Sequence, residues 1–121
     1  MTEATTAELA TTMMDKLAEA WRNGDADAAM PLFASTREYH HRPWDIGTTA
    51  EEYRSYWSGM DDFENITVDW DLVSTDGRTA VVHWVNTFGL AGTNYHVDGL
   101  YVIEFNDAGE CDVIKQWFFT K

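Results

Sequence analysis

Leu9, Met13, Leu17 and Trp21 recur every four residues, with Met14 and Ala18 beside them. That spacing lines one face of a helix, so the chain is expected to open on an amphipathic helix. "NGD" ends the pattern, with Gly24 placed to take the left-handed conformation past a helix C-terminus. Asp25 can cap a second helix in "ADAAMPLFA", and Pro31 keeps it short or kinked. "REYHHRP" reads as a short strand whose end Pro43 confines to a sheet edge. Thr49 and Glu52 have capping-box spacing, and so do Thr48 and Glu51. The helix that either frame opens carries Tyr53, Tyr56, Trp57 and Met60 on one side, with Gly59 near its end.

From Asn65 the period changes. Ile66, Val68, Trp70 and Leu72 alternate with Thr67, Asp69 and Asp71, the pattern of a half-buried strand. "DG" at Asp76-Gly77 predicts a hairpin turn. "RTAVVHWVNTF", "NYHVDGLYVIEF" and "CDVIKQWFF" follow as strands, separated by the turns "GLAGT" and "NDAG". Helices first and an antiparallel meander after predict a single α+β domain over residues 1–121, with a curved antiparallel sheet wrapped over three N-terminal helices. Such a sheet leaves a cone with an open mouth, a place for a small ligand.

Alternation assigns the faces. Trp84, Asn86 and Phe88 share one face of their strand. Val97, Gly99, Tyr101, Ile103 and Phe105 share another, as do Ile114, Gln116 and Phe118. These three sets are expected inside the cone. In the first strand, Tyr39 and His41 are expected to face in, and His40 and Arg42 to face away.

Composition narrows the functional classes. Hydrophobic residues make up 45% of the 121 and aromatics 14%, enough to build a core. The net charge of −13 repels phosphate, which argues against nucleic acid and against anionic membranes as partners. No run approaches the roughly 18 apolar residues of a membrane span. The opening "MTEATTAELATTMMDKLAEAW" lacks a basic start followed by an apolar block, so a cytoplasmic protein is expected. Cys111 is the one cysteine, which rules out an intrachain disulfide and suits a small apolar strand position. His40 and His41 point to opposite faces if extended, and His83 and His96 fall on outer faces, so no metal is expected. Nor is a phosphate-cradling glycine loop present, and no cofactor is expected.

"EAWRNGDADAAMPLFA", "YHHRPW" before a capped helix ending "YRSYWSGM", "STDGRTAVVHW", "DGLYVIEFNDAGE" and "IKQWFF" occur in an order that resembles the nuclear-transport-factor-2 superfamily, and within it the SnoaL-like group. The resemblance covers nearly the whole chain. It implies a cone-shaped α+β barrel and a homodimer formed through the convex sheet face, where Val81, Val85 and Val102 add apolar surface. It leaves function open, because the fold hosts isomerases, epoxide hydrolases, cyclases, binding domains and dimerisation modules.

The resemblance also marks positions. Ketosteroid isomerases carry a general-base aspartate where this chain has His41, and "YHHRP" departs from the tyrosine-histidine-aspartate-proline common in SnoaL-like proteins. Histidine can serve as a base near neutral pH. Tyr101 matches an oxyanion-donor position, while the family's first-helix tyrosine is an apolar residue here. The arginine and two aspartates of limonene epoxide hydrolase correspond to Trp84, Asn86 and Gln116. Amides cannot take a proton, so that mechanism is lost, though ligand hydrogen bonds remain available. The candidate site is therefore His41 and Tyr101 as catalytic residues. Tyr39, Tyr53, Trp57, Trp84, Asn86, Phe88, Gln116 and Phe118 are the candidate ligand contacts. Asn86 and Gln116, amid bulky apolar neighbours, need partners, which can be each other, buried water or a ligand. Tyr53, Trp57, Trp84 and Trp117 are expected chiefly as core packing, and Asp98 as an outward carboxylate. A small hydrophobic ligand acted on by proton transfer is the first functional reading. A non-catalytic binding protein and a dimerisation module are the alternatives.

Overall fold

The computed structural model describes residues 4–121. Residues 1–3, where the reading of the N-terminus begins, lie outside the described residues. Helix α1 runs Thr6–Arg22, opened by a capping box in which Thr5 and Glu8 satisfy each other's backbone N–H groups. Its apolar stripe is the one the sequence marks: Met14, Leu17 and Ala18 have no solvent exposure. Burying one such Leu side chain is worth about 1.5–3 kcal/mol. Gly24, at φ +62°, ends this segment where a side chain would meet the Met60 carbonyl oxygen at 2.9 Å. Asp25 accepts a hydrogen bond from Ala28 N and caps α2, Ala26–Ala29. Pro31 then sits in the first turn of a 3-10 segment, Met30–Phe33, where it needs no donor.

Strand β1 is Glu38–Arg42, and β2, Asp45–Gly47, is a short strand the sequence pattern did not reveal. Helix α3, Ala50–Tyr56, uses the Thr49–Glu52 frame of the two available: Glu52 N donates to Thr49 Oγ1. The long strands are β3 Glu64–Asp76, β4 Thr79–Leu90, β5 Thr93–Phe105 and β6 Cys111–Thr120. They form one six-stranded sheet in the order β2-β1-β6-β5-β4-β3. β3 to β6 are the expected antiparallel meander, but β1 pairs parallel with β6. The sheet is thus mixed, and β2 rather than β1 forms that edge. Pro43 lies in the turn between β1 and β2, where its missing N–H breaks no ladder bond.

The helices cover one face of this sheet, giving the cone-shaped α+β architecture. Inner positions of β4 and β5 are buried and outer ones are not, in strict alternation from Ala80 to Asn86. Trp117 departs from its expected core role: it pairs with Leu100 on the convex face and is 41% exposed. No helix among the described residues is long and apolar enough to cross a membrane.

Candidate functional site: a cavity between the sheet and the helices

A cavity of about 240 Å³ lies between the concave face of the sheet and α1 and α3. Strand register orders its wall. Val82, Tyr101 and Gln116 stand side by side across β4, β5 and β6. One step along, Trp84, Gly99 and Phe118 form the next row, and Asn86 opposes Val97 beyond it. The Trp84 ring packs directly against Gly99. A methyl group there would stand 2.7 Å from Trp84 Cε2 and 2.8 Å from the Trp117 carbonyl oxygen. Gly99 is therefore the seat that lets a tryptophan occupy this row. Trp21 from α1 and Trp57 after α3 close the cavity opposite the sheet, with centroids 5.6 Å apart.

Both buried amides are fixed by backbone carbonyls and not by each other. Asn86 Nδ2 donates to Thr67 O at 3.0 Å, and Gln116 Nε2 donates to His41 O at 3.0 Å. A carbonyl partner requires the NH₂ end of an amide, so the orientation of both groups is set. Their oxygens are the ends left for the cavity. Gln116 also ties the rim to the wall, because its partner carbonyl belongs to β1.

His41 occupies a bulge. β1 and β2 pair at His40–Ile46 and then at Arg42–Asp45, which leaves His41 unopposed. Its ring enters the cavity mouth and stacks on Tyr56, centroids 4.5 Å apart and planes 6° from parallel. Asp45 Oδ2 lies 3.7 Å from His41 Nδ1, an ion-pair separation longer than a hydrogen bond, and Tyr56 donates its hydroxyl to Asp45 Oδ1 at 3.4 Å. Burial, and then the charge of Arg42, push the His41 pKa below its ordinary value, and Asp45 opposes them. The ring is thereby held toward its neutral, proton-accepting form at pH 7. His40 faces the other way and bonds Glu38 Oε1 at 2.8 Å. Arg42, expected to face away, instead reaches over Phe118, its guanidinium carbon 4.9 Å from the ring centroid. The bulge accounts for this, because one extra residue reverses the alternation beyond it.

The tyrosines are the other ionisable groups of the lining. Tyr39 and Tyr101 are buried neighbours, and both line the cavity. Trp57 Nε1 donates to Tyr39 at 3.2 Å. Burial raises the pKa of both phenols well above the ordinary range, and it pushes Tyr56 up to about 12. All three stay protonated at neutral pH. Outside the cavity, burial pushes the Cys111 thiol up to about 12, so it is an inert core group.

Of the expected site residues, His41, Tyr101, Tyr39, Trp57, Trp84, Asn86, Gln116 and Phe118 come together on this cavity. Tyr53 and Phe88 do not reach it. Tyr53 is core, its hydroxyl bonded to Thr36 O at 2.9 Å. Phe88 has the correct face but lies too far along β4, stacked on Phe63 and Tyr95. Sequence reasoning missed Trp21, Tyr56 and Phe63 as lining residues. Trp21 and Tyr56 were visible on their helix faces, but nothing local showed which end of each helix meets the mouth. Among the described residues, no group of three His, Cys, Asp or Glu is placed to hold a metal ion.

Residues 14–111 match the SnoaL-like domain family, and the chain belongs to it. No curated protein matches the chain in sequence. Solved structures do match in fold. One is SalBIII, an epoxide hydrolase/cyclase-like enzyme with a role in pyran ring formation in the polyether salinomycin: TM-score 0.73, 16% identity, covering 94% of this chain and 90% of that one. A second is a hypothetical protein of ketosteroid isomerase-like fold from Catenulispora acidiphila, in complex with trimethylamine: TM-score 0.70, 21% identity, 93% and 86% covered. A third is a candidate scytalone dehydratase from Novosphingobium aromaticivorans: TM-score 0.73, 12% identity, 95% and 85% covered. At these identities the likeness concerns the fold.

Proposed function

We propose that the chain binds a small, largely apolar molecule in the cone and moves a proton on it through His41, without a bound cofactor. One observation carries this reading. His41 is the one side chain lining the cavity that can exchange a proton near neutral pH, since the lining tyrosines titrate far above it and no carboxylate lines the cavity among the described residues. Asp45 at Nδ1 and Tyr56 against the ring face hold the imidazole, which leaves Nε2 for the ligand. The volume lies below the ~300–1,000 Å³ of drug-sized sites, which suits a one- or two-ring molecule. The enzyme-like and ligand-bound fold neighbours support a ligand-holding cone.

The test is deuterium wash-in. Small carbonyl compounds, with and without an amino group, are incubated with the protein in D₂O, and loss of the α-proton signal is followed by NMR. His41→Ala should slow any catalysed exchange by about 10²- to 10⁴-fold, the usual share of a general base, and His40→Ala should leave it unchanged. Binding without exchange in the wild-type protein would favour a binding protein instead. The replacement of the relatives' acids by Asn86 and Gln116 supports that second reading.

The convex face is proposed to pair with a second copy. Val81, Val85 and Val102 lie there half-buried, joined by the exposed Leu100, Trp117 and Phe119. A monomeric mass by light scattering at micromolar concentration would refute the pairing.

A further inference from the structure

We propose that the ligand of this cavity is an organic cation, a small protonated amine on an apolar body. The inference rests on the reading that the cavity holds a small molecule, and it names the class. The groups that line the cavity point to this class. Their donors are largely committed: the Asn86 and Gln116 NH₂ groups to backbone carbonyls, Trp57 Nε1 to Tyr39, the Ser58 hydroxyl to Ser55 O, and the Tyr56 hydroxyl to Asp45. Trp84 Nε1 has no partner but is covered by its neighbours, so it offers nothing without their movement. Apart from the Tyr39 and Tyr101 hydroxyls, what remains for the cavity is negative in character: two amide oxygens, and the rings of Trp21, Tyr56, Trp57, Trp84 and Phe118. Ring faces attract cations through their quadrupole, and amide oxygens accept from N–H groups.

Among the described residues, an oxyanion or a carboxylate would find no Arg or Lys in the lining, and the Tyr39 and Tyr101 hydroxyls as its donors. A neutral acceptor would face the two amide oxygens. An ammonium would meet π faces and acceptors at once. The field outside agrees. Asp45 stands at the mouth, Asp61, Asp62 and Glu64 flank the lining residues Met60 and Phe63, and the chain carries −13. Arg42 opposes this field, and it lies over Phe118, so this ring already accepts a cation on one side. His41 adds no positive charge while it is neutral.

Three probes of similar shape separate the possibilities at pH 7.5: benzyldimethylamine, which is cationic there, N,N-dimethylbenzamide, a neutral acceptor, and phenylacetate, an anion. Affinities come from calorimetry, and the indole N–H signals of the six tryptophans locate the bound probe. The amine should bind at least about tenfold more tightly than either of the others, the scale of a desolvated cation–π contact. It should also shift cavity indole signals. Asn86→Leu should weaken the amine by about fivefold, the worth of one hydrogen bond, and leave the benzamide unaffected or improved. Equal or tighter binding of the benzamide or phenylacetate overturns the proposal and leaves the small-molecule reading standing. Failure of all three probes to bind at millimolar concentration overturns both.

Discussion

Two stretches of chain make most of the cavity, and they are held in opposite ways. From Thr79 to Phe118, β4, β5 and β6 pair without a break through the rows that carry Tyr101, Trp84 and Asn86. The β1–β2 rim has five residues in one strand and three in the other, a bulge at His41, and a parallel seam to β6 of three paired positions. Toward the cavity the wall turns Tyr101 and the two amides, and the rim turns His41. A ladder fixed by many mutual contacts tolerates little change in volume. A bulged rim trades that rigidity for aim, turning a ring toward the mouth that regular pairing would place less freely. Substitutions in the wall should therefore act first on stability, and those at the rim first on ligand chemistry.

The sharpest break in this comparison is Gly99→Ala. The added methyl meets the Trp84 ring on one side and the Trp117 carbonyl oxygen on the other, so neither neighbour can yield cheaply. Overpacking of this kind costs about 1–3 kcal/mol. Denaturant unfolding should show that loss, and the Trp84 indole signal should move. An unchanged midpoint would mean the wall is softer than its register implies.

At the rim the corresponding experiment is a pH profile. Burial and Arg42 lower the His41 pKa, with Asp45 and the face-on Tyr56 as its other close neighbours. In the folded protein the ring therefore gains its proton only below the ordinary value of about 6.5. Proton exchange should be near its plateau at pH 7 and fall toward tenfold per pH unit below a midpoint under 6.5. Amine binding should weaken over the same window, because protonated His41 repels a cation. An NMR titration of the ring carbons measures the midpoint directly, and a value above 6.5 would contradict the assignment.

Gln116→Leu tests the link between the two regions. It removes the bond to the His41 carbonyl but keeps an apolar side chain in the row. The expected loss is about 1 kcal/mol of stability, one hydrogen bond's net worth. Hydrogen exchange should quicken in β1 and β2 more than in β4 and β5.

The same contrast explains what the sequence could disclose. In the wall, the two-residue period of "AVVHWVN" and "VDGLYVIEF" gave the inner face residue by residue, and the DG turn fixed where it began. At the rim the period failed at its most informative point. A bulge consumes one residue without any marker in composition, so the placement of Arg42 came out reversed while that of His41 survived. The parallel β1–β6 seam was equally hidden, since partners 75 positions apart leave no local trace. Tyr53 and Phe88 were assigned to the ligand because face is legible and depth is not: Tyr53 ends in the core at Thr36, and Phe88 lies past the cavity. The amides were legible as a demand for partners, but which carbonyls would answer it was not.

The smallest effect belongs to the wall's own far end. Ala91 and Gly92 turn β4 into β5, both with positive φ, +51° and +82°. Two left-handed residues in a two-residue hairpin make the type I′ turn, whose twist matches the strands and whose preferred sequence is Asn-Gly. Glycine is at ease there, but alanine brings a Cβ too close to its carbonyl, at about 1 kcal/mol. Ala91→Asn keeps the turn, and its side chain can bond locally in that conformation. It should raise stability by about 0.5 kcal/mol, with the ligand affinity and the His41 midpoint unchanged. Thermal unfolding at one fixed pH resolves a shift of that size. A loss of stability would mean that Ala91 is not left-handed in solution, and that the β4–β5 pairing at Leu90 and Thr93 ends in a different turn.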